Sequence, residues 1–322
     1  MEHSILWIYT VILFLILIAA DLLLYNKYIG DKKPTFITAA TWSIIWISIG
    51  LSFSIFIYYA YENHWFGLYL NDKKDISGTN AALTYISAFL IEESLSVDNL
   101  FVMAMIFEMF NIPVRYQHNV LYLGILGAII FRATFIIAGI KLISLFTWTF
   151  YIFGALLLYS SYKMITQKNE DFNIKDSRIY QWIVSKFRIT DKLYRNKLFV
   201  KLKDNKVYAT PLFLALLAIE MSDLIFAVDS IPAVFAVTTD SYIAFTSNIL
   251  AVMGLRSIYF VLTYMVLNFD YLHYSLAAIL AFIGFKLIVH HWFIVPVELT
   301  LSIIVVFLLA GIIYSKIKTS KE

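Results

Sequence analysis

The 322-residue sequence contains no cysteine. This absence excludes disulfide bonds, thiolate metal sites and a cysteine nucleophile. The side chains that remain as metal ligands carry oxygen, imidazole or thioether groups. A bound ion would therefore meet mainly hard oxygen donors, which suit Mg2+, Ca2+ or Mn2+.

Charged residues are scarce, at 15% of the chain, whereas 61% of the residues are hydrophobic and the mean hydropathy is +0.78. An ordinary soluble domain has about 25% charged residues. Apolar runs of about 20 residues, long enough to cross a hydrocarbon layer of about 30 Å, recur along the chain. We expect an all-α polytopic membrane protein, with one transmembrane domain over residues 1–322. Its nine spans are predicted at 4–25, 36–60, 79–110, 119–139, 144–165, 209–237, 242–268, 274–290 and 293–316.

Common catalytic motifs are also missing. The sequence has no glycine-rich phosphate loop, no His-Glu-x-x-His pattern and no nucleophile elbow. ATP hydrolysis and membrane proteolysis therefore have no support in the sequence. We predict that the protein is not an enzyme and holds no prosthetic group.

Lysine and arginine are distributed unevenly. Twelve of the 25 lie between Lys163 and Lys206, where only five acidic residues occur. Basic loops of membrane proteins stay in the cytoplasm, so this asymmetry indicates orientation and not nucleic-acid binding. It predicts a cytoplasmic loop at 166–208, an N-terminus outside and a cytoplasmic C-terminus, in a bacterial inner membrane. The first apolar stretch, from Ile5, lacks a basic leader and is interpreted as an uncleaved span.

One segment of this loop, RIYQWIVSKFRI, has apolar residues at helical spacing on a basic background. Two interpretations stay open. The segment forms a short helix on the inner membrane surface, or it is a solvated connector between two halves of the protein.

The sequence contains an internal repeat. IEESLSVDNLFV aligns with SDLIFAVDSIPA, GILGAIIFR with NILAVMGLR, and ALLLYSSYKMI with AILAFIGFKLI. Three consecutive helices at 79–165 are thus repeated at 209–290. Because three is odd, the second copy must cross the membrane in the opposite direction, as in the inverted 3+3 repeats of many secondary transporters. In that architecture the substrate site lies near the midplane, where the copies meet.

Acidic residues are concentrated in the first helix of each copy. A charged group at the centre of a membrane helix costs about 2.5–3.5 kcal/mol on insertion scales, so such acids need partners or a task. Each helix carries a polar stripe, formed by Glu92, Ser96 and Asn99 in one copy and by Glu220, Asp223 and Ser230 in the other.

Two further acids lie off these stripes. Asp98 and Asp229 are rotated by about 120° from Glu92 and Asp223, so they either face another neighbour or occupy an unwound turn. Pro232 would favour unwinding, because it frees the carbonyl of the residue before Asp229. We therefore expect the two acidic clusters to form one cation site.

Arg132 and Arg256 occupy equivalent positions in the second helix of each copy. Two roles stay open: neutralisation of buried acids, or a mobile counter-ion that competes with the substrate ion or a proton. Lys163 and Lys286 also align, but they lie near helix ends, where we expect them to reach the membrane interface. Asp21 lies near a span boundary and is expected at the interface as well.

The motifs EESLSVDNLFV (92–102) and EMSDLIFAVDSIPAVFAVT (220–238) resemble the TerC/Alx family of integral membrane proteins, which is related to the lysine-exporter superfamily. The two arginines and the basic loop add to the resemblance, which covers nearly the full length. It implies metal-ion export, of manganese above all, and the older family name refers to tellurite resistance. The metal-interacting residues that it implies are Glu92, Asp98, Asn99, Asp223, Asp229 and Ser230, with Glu220 in addition.

Two functions are compatible with these observations. The first is a secondary transporter in the lipid bilayer that exports Mn2+ from the cytoplasm, with proton antiport through the same carboxylates. The second is a membrane factor that assists the maturation or metalation of exported proteins, with the secretion machinery or those metalloproteins as partners. Export of an oxyanion fits poorly, because the anion would meet at least four carboxylates and only two arginines.

Overall fold

The computed structural model describes residues 2–28, 34–65, 76–145, 148–166, 181, 185–190, 192–202, 204–265, 272–289, 293 and 295–319. Within these ranges the chain is helical apart from turns and one short antiparallel hairpin. The helices are α1 (Glu2–Tyr28), α2 (Phe36–Glu62), α3 (Gly78–Met109), α4 (Val114–Leu145), α5 (Thr149–Thr166), α6 (Pro211–Phe235), α7 (Ser241–Met265), α8 (Leu272–Val289) and α9 (Val297–Thr319). The hairpin strands are β1 (Phe199–Lys201) and β2 (Val207–Ala209).

Among the described residues, five helices contain a segment with the length and composition of a membrane span. α8 and α9 contain shorter apolar segments, and α3 carries four acidic residues that lower its apolar character. The fold is therefore that of a helical, polytopic membrane protein, while the number of nine crossings stays a prediction. The five candidate spans are Ile5–Leu24, Phe36–Glu62, Val114–Gly139, Pro211–Phe235 and Ser241–Thr263.

The clearest difference from the predicted helix bounds occurs in α4. This helix begins at Val114 and ends at Leu145, well beyond the predicted span at 119–139. Its first turns contain Gln117 and His118, which are too polar for an apolar pattern yet are buried. Gln117 accepts a hydrogen bond of 3.0 Å from Tyr259 of α7. Polar contacts between helices thus extend α4 past the apolar stretch.

The helices of the two predicted copies pack reciprocally. α3 and α6, the first helix of each copy, contact each other. α3 also packs against α7, and α6 packs against α4, so each first helix contacts the second helix of the other copy. α5 and α8, the two third helices, form an extensive contact, while α9 covers α8 and α3. The buried core shared by α3, α4, α6 and α7 lies at the centre of this arrangement.

Glycines allow α5 and α8 to approach closely. A Cβ added at Gly154 would lie 2.8 Å from the carbonyl oxygen of Gly284, and one added at Gly284 would lie 2.9 Å from the carbonyl oxygen of Gly154. Ser161 donates a hydrogen bond of 2.7 Å to the carbonyl of Ala277 across the same contact. Small residues and polar groups of this kind are typical of membrane helix pairs, which are held together by packing.

The hairpin lies in the predicted cytoplasmic loop and leads directly into α6. Phe199 pairs with Ala209 and Lys201 pairs with Val207, while Ile189 forms a parallel bridge to Ala209. Half of the segment predicted as a surface helix, residues 178–180 and 182–184, lies outside the described residues. Ile189, the last residue of this segment, is extended and forms the bridge to Ala209.

Candidate functional site

Arg132 of α4 lies where α3, α4, α6 and α7 meet, and only 1% of its surface is exposed. Its Nε and Nη2 donate to the two carboxylate oxygens of Asp223 on α6, at 3.2 and 2.9 Å. This is the bidentate geometry of strong arginine–carboxylate pairs. Nη1 pairs with Glu92 on α3. One cation is therefore shared by one acid from each predicted copy.

Amide side chains complete the partners of these acids. Asn248 of α7 donates to Oε2 of Glu92 at 2.8 Å and accepts from Nη1 of Arg132 at 3.2 Å. Asn99 of α3 donates to Oδ1 of Asp223 at 2.8 Å. Each carboxylate thus receives one amide and the shared guanidinium. We call Glu92, Asn99, Arg132, Asp223 and Asn248 the central cluster.

Hydroxyl groups surround the central cluster. Ser222 donates to Oδ1 of Asn99 at 3.2 Å, and Ser96 lies 3.4 Å from Oε1 of Glu92. The Oγ of Ser230 is buried and has no hydrogen-bond partner within the described part of the chain. These oxygens add neutral donors and acceptors beside the charged groups.

A cavity of about 30 Å3 adjoins the cluster. A cavity needs about 10–15 Å3 by this measure to hold a water molecule, so there is room for one here. Its apolar walls come from Leu95, Met164, Phe226 and Leu280, and its polar side is formed by Glu92, Ser96, Asn99, Arg132 and Ser230. A single water molecule or a dehydrated cation would therefore be surrounded mainly by oxygen donors on one side.

The predicted site residues are partly brought together. Glu92, Ser96, Asn99, Asp223 and Ser230 meet around Arg132 and the cavity. The side chains of Asp98 and Asp229 lie outside the described part of the structure. Among the side chains that are described, no group of three or more histidine and acidic residues is placed to hold a metal ion.

Glu220 lies one turn before Asp223, on the face of α6 that packs against α4. A Cβ added at Gly127 would overlap its carboxylate, and one added at Gly124 would lie 3.9 Å from its Oε1. Its Oε2 is buried and has no hydrogen-bond partner among the described residues. Two glycines of α4 thus make room for this carboxylate.

The backbone of α6 is continuous through Pro232. The suggestion of an unwound turn at Asp229 is therefore wrong for the described backbone. Pro232 has no N–H to donate to the carbonyl of Val228, yet the helix continues three residues further to Phe235.

Arg256 occupies a different environment from Arg132. It donates a hydrogen bond of 2.5 Å to Asp21 of α1 and lies 3.4 Å from Nδ1 of His118. Trp46 of α2 donates to the same carboxylate at 3.2 Å. The expectation that Asp21 lies at the interface is wrong, because it is buried as the ion-pair partner of Arg256.

The two repeat-related lysines also differ. Lys163 is exposed in the last turn of α5, in agreement with an interfacial position. Lys286 is only 5% exposed and donates to Oγ1 of Thr300 on α9 at 2.9 Å. The interfacial prediction is wrong for Lys286, because α9 packs over the end of α8 and covers it.

Two polar residues near the clusters were not selected from the sequence. Asn248 was part of the aligned segment NILAVMGLR, and an amide within an apolar helix is the signal that could have identified it. Glu93 follows Glu92, and its Oε1 is buried without a hydrogen-bond partner among the described residues. A Cβ added at Gly254 of α7 would lie 3.5 Å from that oxygen.

A model of the integral membrane protein TerC family matches residues 77–322. The chain belongs to the TerC family. The match contains the whole central cluster and leaves out α1 and α2, which supply Asp21 and Trp46. The resemblance seen in the two acidic motifs is thereby confirmed.

Relatives in this family extend over nearly the whole chain. An uncharacterized membrane protein of Rickettsia conorii is 41% identical over 309 residues, covering 95% of this chain and 97% of the relative. The Escherichia coli protein named "Putative membrane-bound redox modulator Alx" is 40% identical over 289 residues, covering 90% of this chain and 87% of the relative. No solved structure matches the chain significantly.

Proposed function

We propose that this TerC-family protein is a secondary transporter that exports divalent metal ions, Mn2+ above all, from the cytoplasm. The observation that carries the proposal is the central cluster, in which an acid from each repeat copy shares one buried arginine. Asp223 is the central residue of α6, and Glu92 lies next to the centre of α3. Ionisable groups at this position in membrane helices typically belong to substrate or ion pathways.

The donor atoms suit a hard cation. The cluster and cavity present carboxylates, amide oxygens and hydroxyls, which are the ligands that Mg2+, Ca2+ and Mn2+ prefer. We include Asp98 and Asp229 in the ligand set because they align with each other in the repeat and follow Glu92 and Asp223 in sequence. Asp98, Asp229 and Ser230 would add oxygen donors from both copies.

The reciprocal packing supports an inverted repeat. Contact of α3 with α7 and of α6 with α4 is the pattern that a twofold relation between the copies would produce. In transporters of this architecture, one copy rocks against the other around a central site. We propose the same motion here, in an inner membrane with the N-terminus outside and the C-terminus in the cytoplasm.

Arg132 sets a condition on ion binding. The cluster contains two carboxylates and one guanidinium, so its formal charge is −1 as long as Arg132 stays in it. A divalent cation bound to both carboxylates would repel the guanidinium and replace it as their partner. We therefore propose that Arg132 is a counter-ion that leaves when the metal arrives. Protons on the same carboxylates would allow antiport.

A membrane factor for maturation or metalation of exported proteins is the alternative. The name of the Escherichia coli relative refers to redox modulation. This chain has no cysteine, so it has no thiol for disulfide exchange. Transport of an ion does not require one.

The proposal is tested with purified protein in liposomes that contain a Mn2+-sensitive dye and a pH dye. Saturable Mn2+ flux that is lost in Asp223→Asn, together with an opposite proton movement, is the expected result. Mg2+, Ca2+ and Zn2+ are compared in the same assay. If the folded protein gives no flux of any of these ions, the transporter proposal is wrong and the maturation factor becomes the better explanation.

A further inference from the structure

Four large apolar side chains are exposed on the small sheet that precedes α6. The exposed fractions are 39% for Phe187, 38% for Ile189, 41% for Phe199 and 59% for Val207. Exposed apolar groups of this size, gathered in one place outside a membrane span, are typical of an interaction surface.

These side chains share one face of the sheet. Residues that are directly opposite each other in neighbouring strands project to the same side. Phe199 and Ile189 both pair with Ala209, and Val207 lies two residues before Ala209, so all three project to its side. The ring of Phe187 lies 6.0 Å from that of Phe199, which places it on this side too. We call Phe187, Ile189, Phe199 and Val207 the hairpin face.

The hairpin face is fixed next to the membrane boundary. Phe213, in the first turn of α6, packs its ring 4.6 Å from Phe199 and 5.0 Å from Phe187. α6 is a candidate membrane span that begins at Pro211. Thr210 ties this junction to the loop by donating to the carbonyl of Lys197 at 2.8 Å. The face therefore lies beside the point where the chain enters the bilayer.

The surroundings of the hairpin face are strongly basic. Seven lysine and arginine side chains between residues 186 and 206 are exposed, and Lys201 lies on the face itself. Among the described residues of this segment, Asp204 is the sole acid, and it accepts a hydrogen bond of 2.8 Å from Tyr208. Apolar groups flanked by lysine and arginine are complementary to a layer of anionic headgroups over acyl chains.

We propose that the hairpin face binds anionic phospholipids in the leaflet at the N-terminal end of α6. Phe187, Phe199 and Val207 lie at the level of the headgroups, and Lys201, on the same face, contacts the phosphates. This binding holds the junction between the loop and α6 against the bilayer. The inference does not depend on which ion the protein transports.

The absence of cysteine makes the test direct, because a single introduced cysteine is a unique labelling site. Val207→Cys is labelled with an environment-sensitive fluorophore and the protein is placed in nanodiscs of phosphatidylcholine with or without phosphatidylglycerol. The matched control is Asn196→Cys, on an exposed turn outside the three pairing segments. We expect the Val207 label to shift its emission to the blue with phosphatidylglycerol and to be quenched by brominated acyl chains, whereas the control label stays solvent-like.

The charge requirement is tested in the Val207→Cys background. Lys201→Glu should abolish the shift produced by phosphatidylglycerol, while Lys201→Arg should retain it. High salt should reduce the shift, because it screens headgroup charges. A Val207 label that remains solvent-like in both nanodiscs would overturn the proposal. An equal shift with and without phosphatidylglycerol would refute recognition of anionic lipid.

Discussion

Replacing Arg132 with glutamine removes the cation that Glu92 and Asp223 share. The variant loses two hydrogen bonds to Asp223, the pair with Glu92 and one hydrogen bond to Asn248. Two buried carboxylates then lie in one cluster without a positive partner. Breaking a buried ion pair by removing one member costs about 3–5 kcal/mol, because the other charge stays buried.

A divalent cation should offset this loss. An ion that binds only the folded protein stabilises it by about 2.7 kcal/mol when its concentration is 100 times the dissociation constant. In Arg132→Gln the guanidinium no longer competes for the carboxylates, so the ion should also bind more tightly than in the natural chain. We therefore expect Mn2+ to raise the unfolding temperature of the variant more than that of the natural protein.

The assay is thermal unfolding of the purified protein in detergent, followed by tryptophan fluorescence over a series of Mn2+ concentrations. Arg256→Gln is the matched control, because it removes the repeat-related arginine from Asp21 instead of from the shared acids. That variant should be destabilised, and Mn2+ should raise its unfolding temperature no more than that of the natural protein. Equal Mn2+ responses in the two variants, or no response in Arg132→Gln, would refute the counter-ion argument.

Three further substitutions test individual contacts. Asp21→Asn leaves Arg256 without its carboxylate and should lower the free energy of unfolding by about 3–5 kcal/mol. Glu108→Gln, at an exposed position, is the control and should change it by about 0.5 kcal/mol or less. Similar losses in both variants would contradict a special role for Asp21. Gly154→Ala should lower the free energy of unfolding by about 1–3 kcal/mol, because its Cβ would lie 2.8 Å from the Gly284 carbonyl and would weaken the packing of α5 on α8. Gly124→Ala is the control in the same unfolding assay. Its Cβ would have its nearest neighbour at 3.4 Å, so the change should be tolerated. Asn248→Leu removes two hydrogen bonds to charged groups, each worth about 1.5–3 kcal/mol. It should reduce Mn2+ flux in liposomes. Undiminished flux would exclude Asn248 from the ion-binding site.

The contact of Glu92 and Asp223 with the same arginine shows how much of the site could be predicted from the sequence pattern. The repeat alignment selected both acids and Arg132, and the structure brings these residues together in one buried cluster. Asn248 was missed because an asparagine in an apolar helix has several plausible partners, and only the rotation of α7 directs it to Glu92. The prediction that Lys286 lies at the membrane interface was wrong because its burial depends on how α9 packs against α8. That packing cannot be read from the sequence of either helix alone.

The sequence by itself determined the membrane class, the positions of the helices, the TerC-family motifs and the two acidic clusters. These properties depend on local composition and on hydrogen bonds four residues apart, so they can be read along the chain. The tertiary structure decided which charges meet. Arg132 and Arg256 are equivalent in the alignment, yet the first binds the shared acids and the second binds Asp21. That choice arises because α1 and α2 bring Asp21 and Trp46 to Arg256, and a buried charge takes the partner that helix packing places within reach.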